Sequence, residues 1–226
     1  VFVGVGFETT TPLVAMAIKR AAAMGLKNFS VLAAHKNMPG ALETLVKDPD
    51  LKLDALILPG HVGTITGTKP FEFLAKEYGI PGVVTGFEPV DVLQGIAMIM
   101  RQLHEGRAEI EIAYARGVMP QGNPVALAAI DEVFETCTAT WRGLGDIPGS
   151  GYRIREEFAQ FDALKRFQPE IEPTINPKGC RCGDVLRARM EPSECPLFRK
   201  VCTPENPVGP CMVSSEGSCA AYYRYY

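Results

Sequence analysis

The first 25 residues, "VFVGVGFETTTPLVAMAIKRAAAMG" (Val1 to Gly25), decide the fold. Val1 to Val5 is a short, mostly β-branched run with no polar interruption, which predicts a buried strand of a parallel sheet. Pro12 opens an aliphatic helical stretch that reaches Met24, and Gly25 stands where a helix would end. Between the two lies a polar loop, "GFETTTP". Strand, loop and helix in that order make the first half of a βαβ unit.

The unit repeats along the next eighty residues. Phe29 to Ala33, Ala55 to Leu58 and Gly82 to Val84 read as further buried strands. Pro39 to Val46, Pro70 to Tyr78 with Gly79 behind it, and Val90 to Leu103 read as the helices between and after them. The alternation predicts an α/β fold of Rossmann-like parallel-sheet layers over residues 1–108, with right-handed crossovers. Residues 109–168 form a mixed α/β connection. In it "EIEIAYARGV" reads as a strand, "NPVALAAIDEVFE" as a helix N-capped by Asn123, "WRGLGDIPGSGY" as a glycine-rich connection, and "REEFAQFDALKRF" as a helix. "QPEIEPTINPKG" (Gln168 to Gly179) has prolines and no periodicity, so it reads as a linker or ordered arm before a C-terminal region over 169–226.

Composition bounds the function. The chain has 226 residues, is 46% hydrophobic and carries a formal net charge of −3. That is ample for a buried core. With a sequence pI near 5.7 and no basic run, nucleic acid and anionic membrane surfaces are not expected partners. No apolar run is long enough to span a bilayer, so the expected compartment is the cytoplasm. The chain also opens directly on a strand with no methionine, which reads as a fragment.

In a parallel sheet the functional loops lie at the carboxyl ends of the strands. Two such loops carry an ionisable side chain: Glu8 in "GVGFETTTP" and His61 in "LPGHVGTITGTKP". Glu8 is a candidate proton acceptor or partner to a cationic group, with an ordinary role near a helix start as the bland alternative. His61 is a candidate hydrogen-bond donor, with loop capping as its alternative. Thr9 and Thr10 read equally as helix caps. Neither a dinucleotide fingerprint nor a Walker lysine accompanies the glycines.

The terminal stretch "CRCGDVLRARMEPSECPLFRKVCTPENPVGPCMVSSEGSC" (Cys180 to Cys219) holds six of the seven cysteines, spaced C-x-C-x12-C-x6-C-x8-C-x7-C. A reducing compartment favours metal or redox chemistry over structural disulfides. The paired C-x2-C knuckles of zinc sites are absent, and six thiols exceed the four that zinc takes. A 4Fe-4S cluster takes four thiolates and leaves two, which suits a redox-active pair. Zinc, disulfides and unligated thiols remain open on spacing alone. Cys137 stands apart at the end of a predicted helix and reads as a thiol without a role.

These residues resemble a known family. "CTPENPVGPCMVSSEGSCAAYY", "GFETTTP", "LPGHV" and "GTKPFEFLAKEYGIPGVVTGFEPVDVLQ" are similar to the HypD family of nickel-iron hydrogenase maturation proteins, and the likeness continues through "GNPVALAAIDEVFE" and "WRGLGDIPGSG". The resemblance implies two α/β domains and a C-terminal cluster region similar to the catalytic subunit of ferredoxin:thioredoxin reductase. It implies Cys180, Cys195, Cys202 and Cys219 as ligands of a 4Fe-4S cluster and Cys182 with Cys211 as the redox pair. It assigns His61 to a hydrogen bond with a cyanide nitrogen or to orienting the iron-bearing thiolate, and Glu8 to the same cleft. A small HypC-type chaperone and the cyanide-delivering HypE and HypF pair are the implied partners, with an Fe(CN)2CO iron centre as transient cargo. Family members also carry an N-terminal portion with an iron-holding cysteine and a C-x-x-C pair, neither of which occurs here. The expectation is a redox-active assembly scaffold rather than a conventional enzyme, with a cluster-dependent protein-disulfide reductase as the alternative.

Overall fold

The computed structural model describes residues 1–170 and 177–226. The centre of the expected linker, residues 171–176, lies outside the described residues. The chain divides into two compact units: Val1–Glu43, Leu53–Ala139 and Pro148–Pro169 form one, and Thr44–Lys52, Thr140–Ile147 and Glu170–Tyr226 form the other.

The first unit is α/β with parallel sheets, as the alternation predicts. β1 (Phe2–Gly6), α1 (Thr11–Ala23), β2 (Val31–His35) and α2 (Met38–Val46) follow in order, and β1 pairs parallel to β2 with Gly6 opposite His35. A second parallel sheet is built from β3 (Leu56–Pro59), β4 (Gly82–Thr85) and β5 (Ile110–Ile112), in that spatial order. The layers are therefore two separate small sheets. Between β3 and β4 lie α3 (Gly60–Thr66), a 3-10 turn (Lys69–Phe71) and α4 (Glu72–Lys76), while α5 (Pro89–Glu105) crosses from β4 to β5. The helix expected over Pro70 to Tyr78 is thus broken at its start and ends early, and Gly79 takes the left-handed conformation behind it at φ +65°.

α6 (Pro124–Val133) begins as predicted: Asn123 Oδ1 accepts the backbone N–H groups of Val125 and Ala126, each at 3.1 Å. Its buried Ala129, Ile130 and Val133 join Val14, Ala15, Ile18 and Ala21 of α1, with Phe134 and Phe161, in one apolar core. β1 is less buried than its composition suggests. Phe2, Val3 and Val5 are all more than half exposed, and only Gly4 of the strand is buried.

Two segments depart from the sequence reading. "WRGLGDIPGSGY" is no open connection: β6 (Phe134–Trp141) and β7 (Gly145–Ile154) pair as a hairpin. Threonines at 136, 138 and 140 supply the alternation, and Gly143 (φ +86°) and Gly145 (φ +88°) supply the turn. Cys137 accordingly lies on β6 and not at a helix end. "GHVGTIT" is the helix α3 rather than a loop, because its glycines serve close packing. A Cβ on Gly60 would stand 2.0 Å from the Thr85 carbonyl oxygen, and one on Gly63 would stand 2.8 Å from Val84 Cγ1. Behind β7 come a 3-10 turn (Glu156–Phe161) and α7 (Ala163–Phe167), again a shorter helix than expected.

The second unit has short helices, α8 (Cys182–Leu186), α9 (Pro210–Val213) and α10 (Ser218–Tyr225), and a 3-10 turn (Pro192–Glu194). Among the described residues no helix is long and apolar enough to cross a membrane. Gly60→Ala should cost about 2 kcal/mol through overpacking against the Thr85 carbonyl, and chemical denaturation followed by circular dichroism measures the loss.

Candidate functional site

The core of the second unit is largely sulfur. Cys182, Cys195, Cys202, Cys211 and Cys219 are all buried, Cys180 is partly buried, and all six belong to one cluster with Val185, Phe198 and Met212. Spacing along the chain gives no hint of the order of contact. The Cys211 thiol donates to the Cys219 sulfur at 3.0 Å, and Cys211 also neighbours Cys182. Cys182 and Cys211 are thus brought together, with Cys211 touching both Cys182 and Cys219. The Val208 N–H donates to Cys202 Sγ at 3.4 Å.

Backbone without side chains makes room for the sulfurs. A Cβ on Gly209 would come within 2.5 Å of Cys180 Sγ, and one on Gly217 would strike the Cys211 carbonyl at 2.3 Å. These two glycines were not singled out by sequence reasoning, since only the fold shows what they face. The walls are held by arginines on and behind α8. Arg187 Nη1 donates to the carbonyls of Gly143 and Gly183 at 3.2 Å each, and Arg189 bonds the Asp48 carboxylate at 2.7 Å. That bond from Arg189, followed by the Asp50 backbone N–H, lowers the pKa of Asp48.

Three of the thiols have raised pKa values. The bond to Cys211, then burial, raises Cys182; burial raises Cys180. Cys211 is lowered by its bond from Cys182, but the contact with Cys219, burial and the adjacent sulfurs outweigh this and raise it overall. Among the described residues no three Cys, His, Asp or Glu side chains form a group able to hold a single metal ion. A cubane asks for something different, four thiolates set apart around it, one to each iron. Six thiols in one core, a backbone amide on one sulfur and a glycine cradle at another fit that donor set.

Glu8 and His61 belong to the first unit and to different sheets. Glu8, only 1% exposed, accepts the N–H of Met38, the first residue of α2, through Oε1 at 2.9 Å, while Oε2 is buried without a hydrogen-bond partner. Burial raises its pKa against the lowering effect of the backbone bonds. Thr10 and Thr11 donate their hydroxyls to the Phe7 carbonyl, so no threonine side chain caps α1. His61 is exposed in the first turn of α3, and its ring lies 4.3 Å from that of Phe87. His35, which carried no motif, is buried beside the bare faces of β1: a Cβ on Gly4 would stand 2.6 Å from its ring. Both of its ring nitrogens lack hydrogen-bond partners, and burial lowers its pKa.

A family model described as HypD, "Hydrogenase formation hypA family", matches residues 1–226. The chain belongs to the HypD family. It is 47% identical to "Hydrogenase maturation factor HypD" of Cupriavidus necator and 49% identical to the protein of that name from Rhodobacter capsulatus. It is 46% identical to the like-named protein of Azotobacter vinelandii. Each alignment covers all of this chain and 61% of the relative. The chain therefore spans about three fifths of the length of these HypD relatives.

The buried carboxyl of Glu8 has a pH signature. Its folded pKa lies above the ordinary 4.5, so the folded state holds more protons than the unfolded one, and stability falls as pH rises from about 4.5 toward the folded value. Glu8→Gln keeps an oxygen for Met38 N–H and removes the ionisation. The variant should match the parent near pH 4 and exceed it in stability at pH 8, as read from urea denaturation midpoints across that range.

Proposed function

We propose that this chain supplies the thiol part of a hydrogenase maturation factor, acting with a HypC-type chaperone and the HypE and HypF pair while the Fe(CN)2CO centre is assembled in the cytoplasm. The observation that carries the reading is the convergence of six terminal cysteines into one buried core, in a chain of the HypD family. Cys180, Cys195, Cys202 and Cys219 would hold a 4Fe-4S cluster, and Cys182 with Cys211 would form the redox pair. The cluster would exchange electrons with that pair.

The chain's own residues set the conditions. The proximity of Cys182 and Cys211 supports that pairing, since disulfide exchange requires the two sulfurs to meet. Both residues are buried, with Cys182 3% and Cys211 6% exposed. Cys211 also touches Cys219, so the pair and the proposed ligand set adjoin at one sulfur. In the first unit, His61 is accessible and steadied by Phe87, which suits donation of a hydrogen bond to a bound cyanide or orientation of an iron-bearing thiolate. Glu8 serves as the proton acceptor, at its unpartnered Oε2.

A protein-disulfide reductase is the second reading, favoured by a cavity that opens onto Cys182. Tight binding of a HypC-type protein without turnover supports the scaffold, and turnover of a thioredoxin-like protein supports the reductase.

Anaerobic purification with iron, zinc and acid-labile sulfide analysis tests the proposal. About four irons and four sulfides per chain are expected. Cys195→Ser should lose them and Cys211→Ser should retain them. Zinc without sulfide, or loss of the cluster in Cys211→Ser alone, would refute the assignment.

A further inference from the structure

The second unit contains a cavity of about 190 Å3 whose lining includes Gly143, Cys180, Arg181, Cys182, Asp184 and Arg187. Of the two sulfurs in the proposed redox pair, only that of Cys182 belongs to a residue lining this cavity among the described residues. Cys182 is 3% exposed, and a glycine stands beside its sulfur. Gly143 has φ +86°, and a Cβ there would lie 3.6 Å from Cys182 Sγ. A Cβ on Gly183 would strike the Gly143 carbonyl at 2.3 Å, and Arg187 bonds that same carbonyl. The loop is therefore pinned beside the sulfur with no side chain at Gly143 to cover it.

The cavity also carries cationic groups. Arg181 bonds Asp184 through Nε at 2.5 Å, and its side chain is 55% exposed. Arg187, on the next turn, is engaged by the carbonyls of residues 143, 144 and 183 and by Asp48 at 3.6 Å. A ligand that places sulfur at Cys182 thus meets a guanidinium with donors to share at the mouth.

We infer that Cys182 is the sulfur through which the pair exchanges with low-molecular-weight thiols bearing carboxylates, the glutathione class, and that Arg181 recognises the carboxylate. The inference rests on the redox-pair reading and adds its small-molecule reductant. The external thiol loses its proton and its thiolate attacks Cys182 Sγ of the Cys182/Cys211 disulfide. The bond between the two protein sulfurs breaks, and its electron pair leaves on Cys211, which takes up a proton. A second external thiolate attacks the external sulfur of the mixed disulfide and releases Cys182, which is protonated in turn. Two external thiols are oxidised to one disulfide, and the protein disulfide is reduced to two thiols.

The test uses the chain purified anaerobically with whatever iron it holds, its thiol pair oxidised with diamide. Reduced glutathione is added together with iodoacetamide, and the products are mapped by peptide mass spectrometry. Glutathione on Cys182 with the alkyl group on Cys211 is the expected pattern. At equal thiolate concentration and low salt, glutathione should react roughly tenfold faster than neutral 2-mercaptoethanol, and Arg181→Gln should remove that preference. As a check that does not depend on trapping, Cys211→Ser treated with oxidised glutathione should accumulate the mixed disulfide at Cys182. Glutathione on Cys211 or Cys180, or equal rates for the two thiols, overturns the inference and leaves the redox pair standing. Absence of any Cys182/Cys211 disulfide after oxidation overturns both.

Discussion

Burial of sulfur is the constraint on which the terminal unit depends. Its helices are four, five and eight residues long, too short to be stable alone in water. What holds them is a shared core in which five buried cysteines stand with Val185, Phe198 and Met212. Cysteine serves there as a small apolar residue, yet the same sulfurs are the proposed ligands and nucleophiles. Chemistry and packing in this unit are therefore one property. The aromatic layer of Phe198 against Tyr222 and Tyr223, with Arg199 over Phe198 and Tyr223, closes one side of that core.

The first unit solves a different problem, how to expose chosen side chains at the ends of short parallel strands. Gly4 and Gly6 leave β1 without side chains at two positions: the imidazole of His35 occupies the space over Gly4, and the Thr10 hydroxyl that over Gly6. At the end of β4, a Cβ on Gly86 would meet Asp91 Oδ2 at 2.0 Å. Asp91 grips Arg116 through two bonds of 2.6 Å, and Arg116 lies over the Tyr114 ring. The pairing lowers the pKa of Asp91, chiefly through the hydrogen bond. This clamp ties the start of α5 to the segment after β5, on the flank of the sheet that presents His61 and Phe87.

Much of this was legible because periodicity is a local property. The strands at Leu56 and Gly82, the long helix after Pro89 and the Asn123 cap all follow from patterns within a few residues of each other. The errors share one cause, that glycine and threonine are ambiguous without a partner. Gly60 and Gly63 look like chain breakers until Thr85 and Val84 stand against them. Thr136, Thr138 and Thr140 look like the frayed end of a helix until β7 pairs with them. The six terminal cysteines were legible as a chemical set, but their contacts were not. Nothing in an eight-residue separation says that Cys211 and Cys219 touch, or that Cys182 reaches Cys211 from almost thirty residues away.

That arrangement has a consequence for how the two proposed functions of the sulfurs are joined. Cys182, Cys211 and Cys219 form one series of neighbouring sulfurs, with Cys211 between the other two and donating to Cys219. A disulfide between Cys182 and Cys211 consumes the thiol proton that Cys211 offers to Cys219. The Cys219 sulfur then loses a donor, in a site where burial makes each such bond count for more than it would in water. Hydrogen bonds to ligand sulfurs are among the main influences on the potential of an iron-sulfur centre. In the proposed reading, the state of the pair therefore alters the environment of a ligand. A relay of this kind needs one sulfur common to both contacts, and Cys211 is the residue so placed.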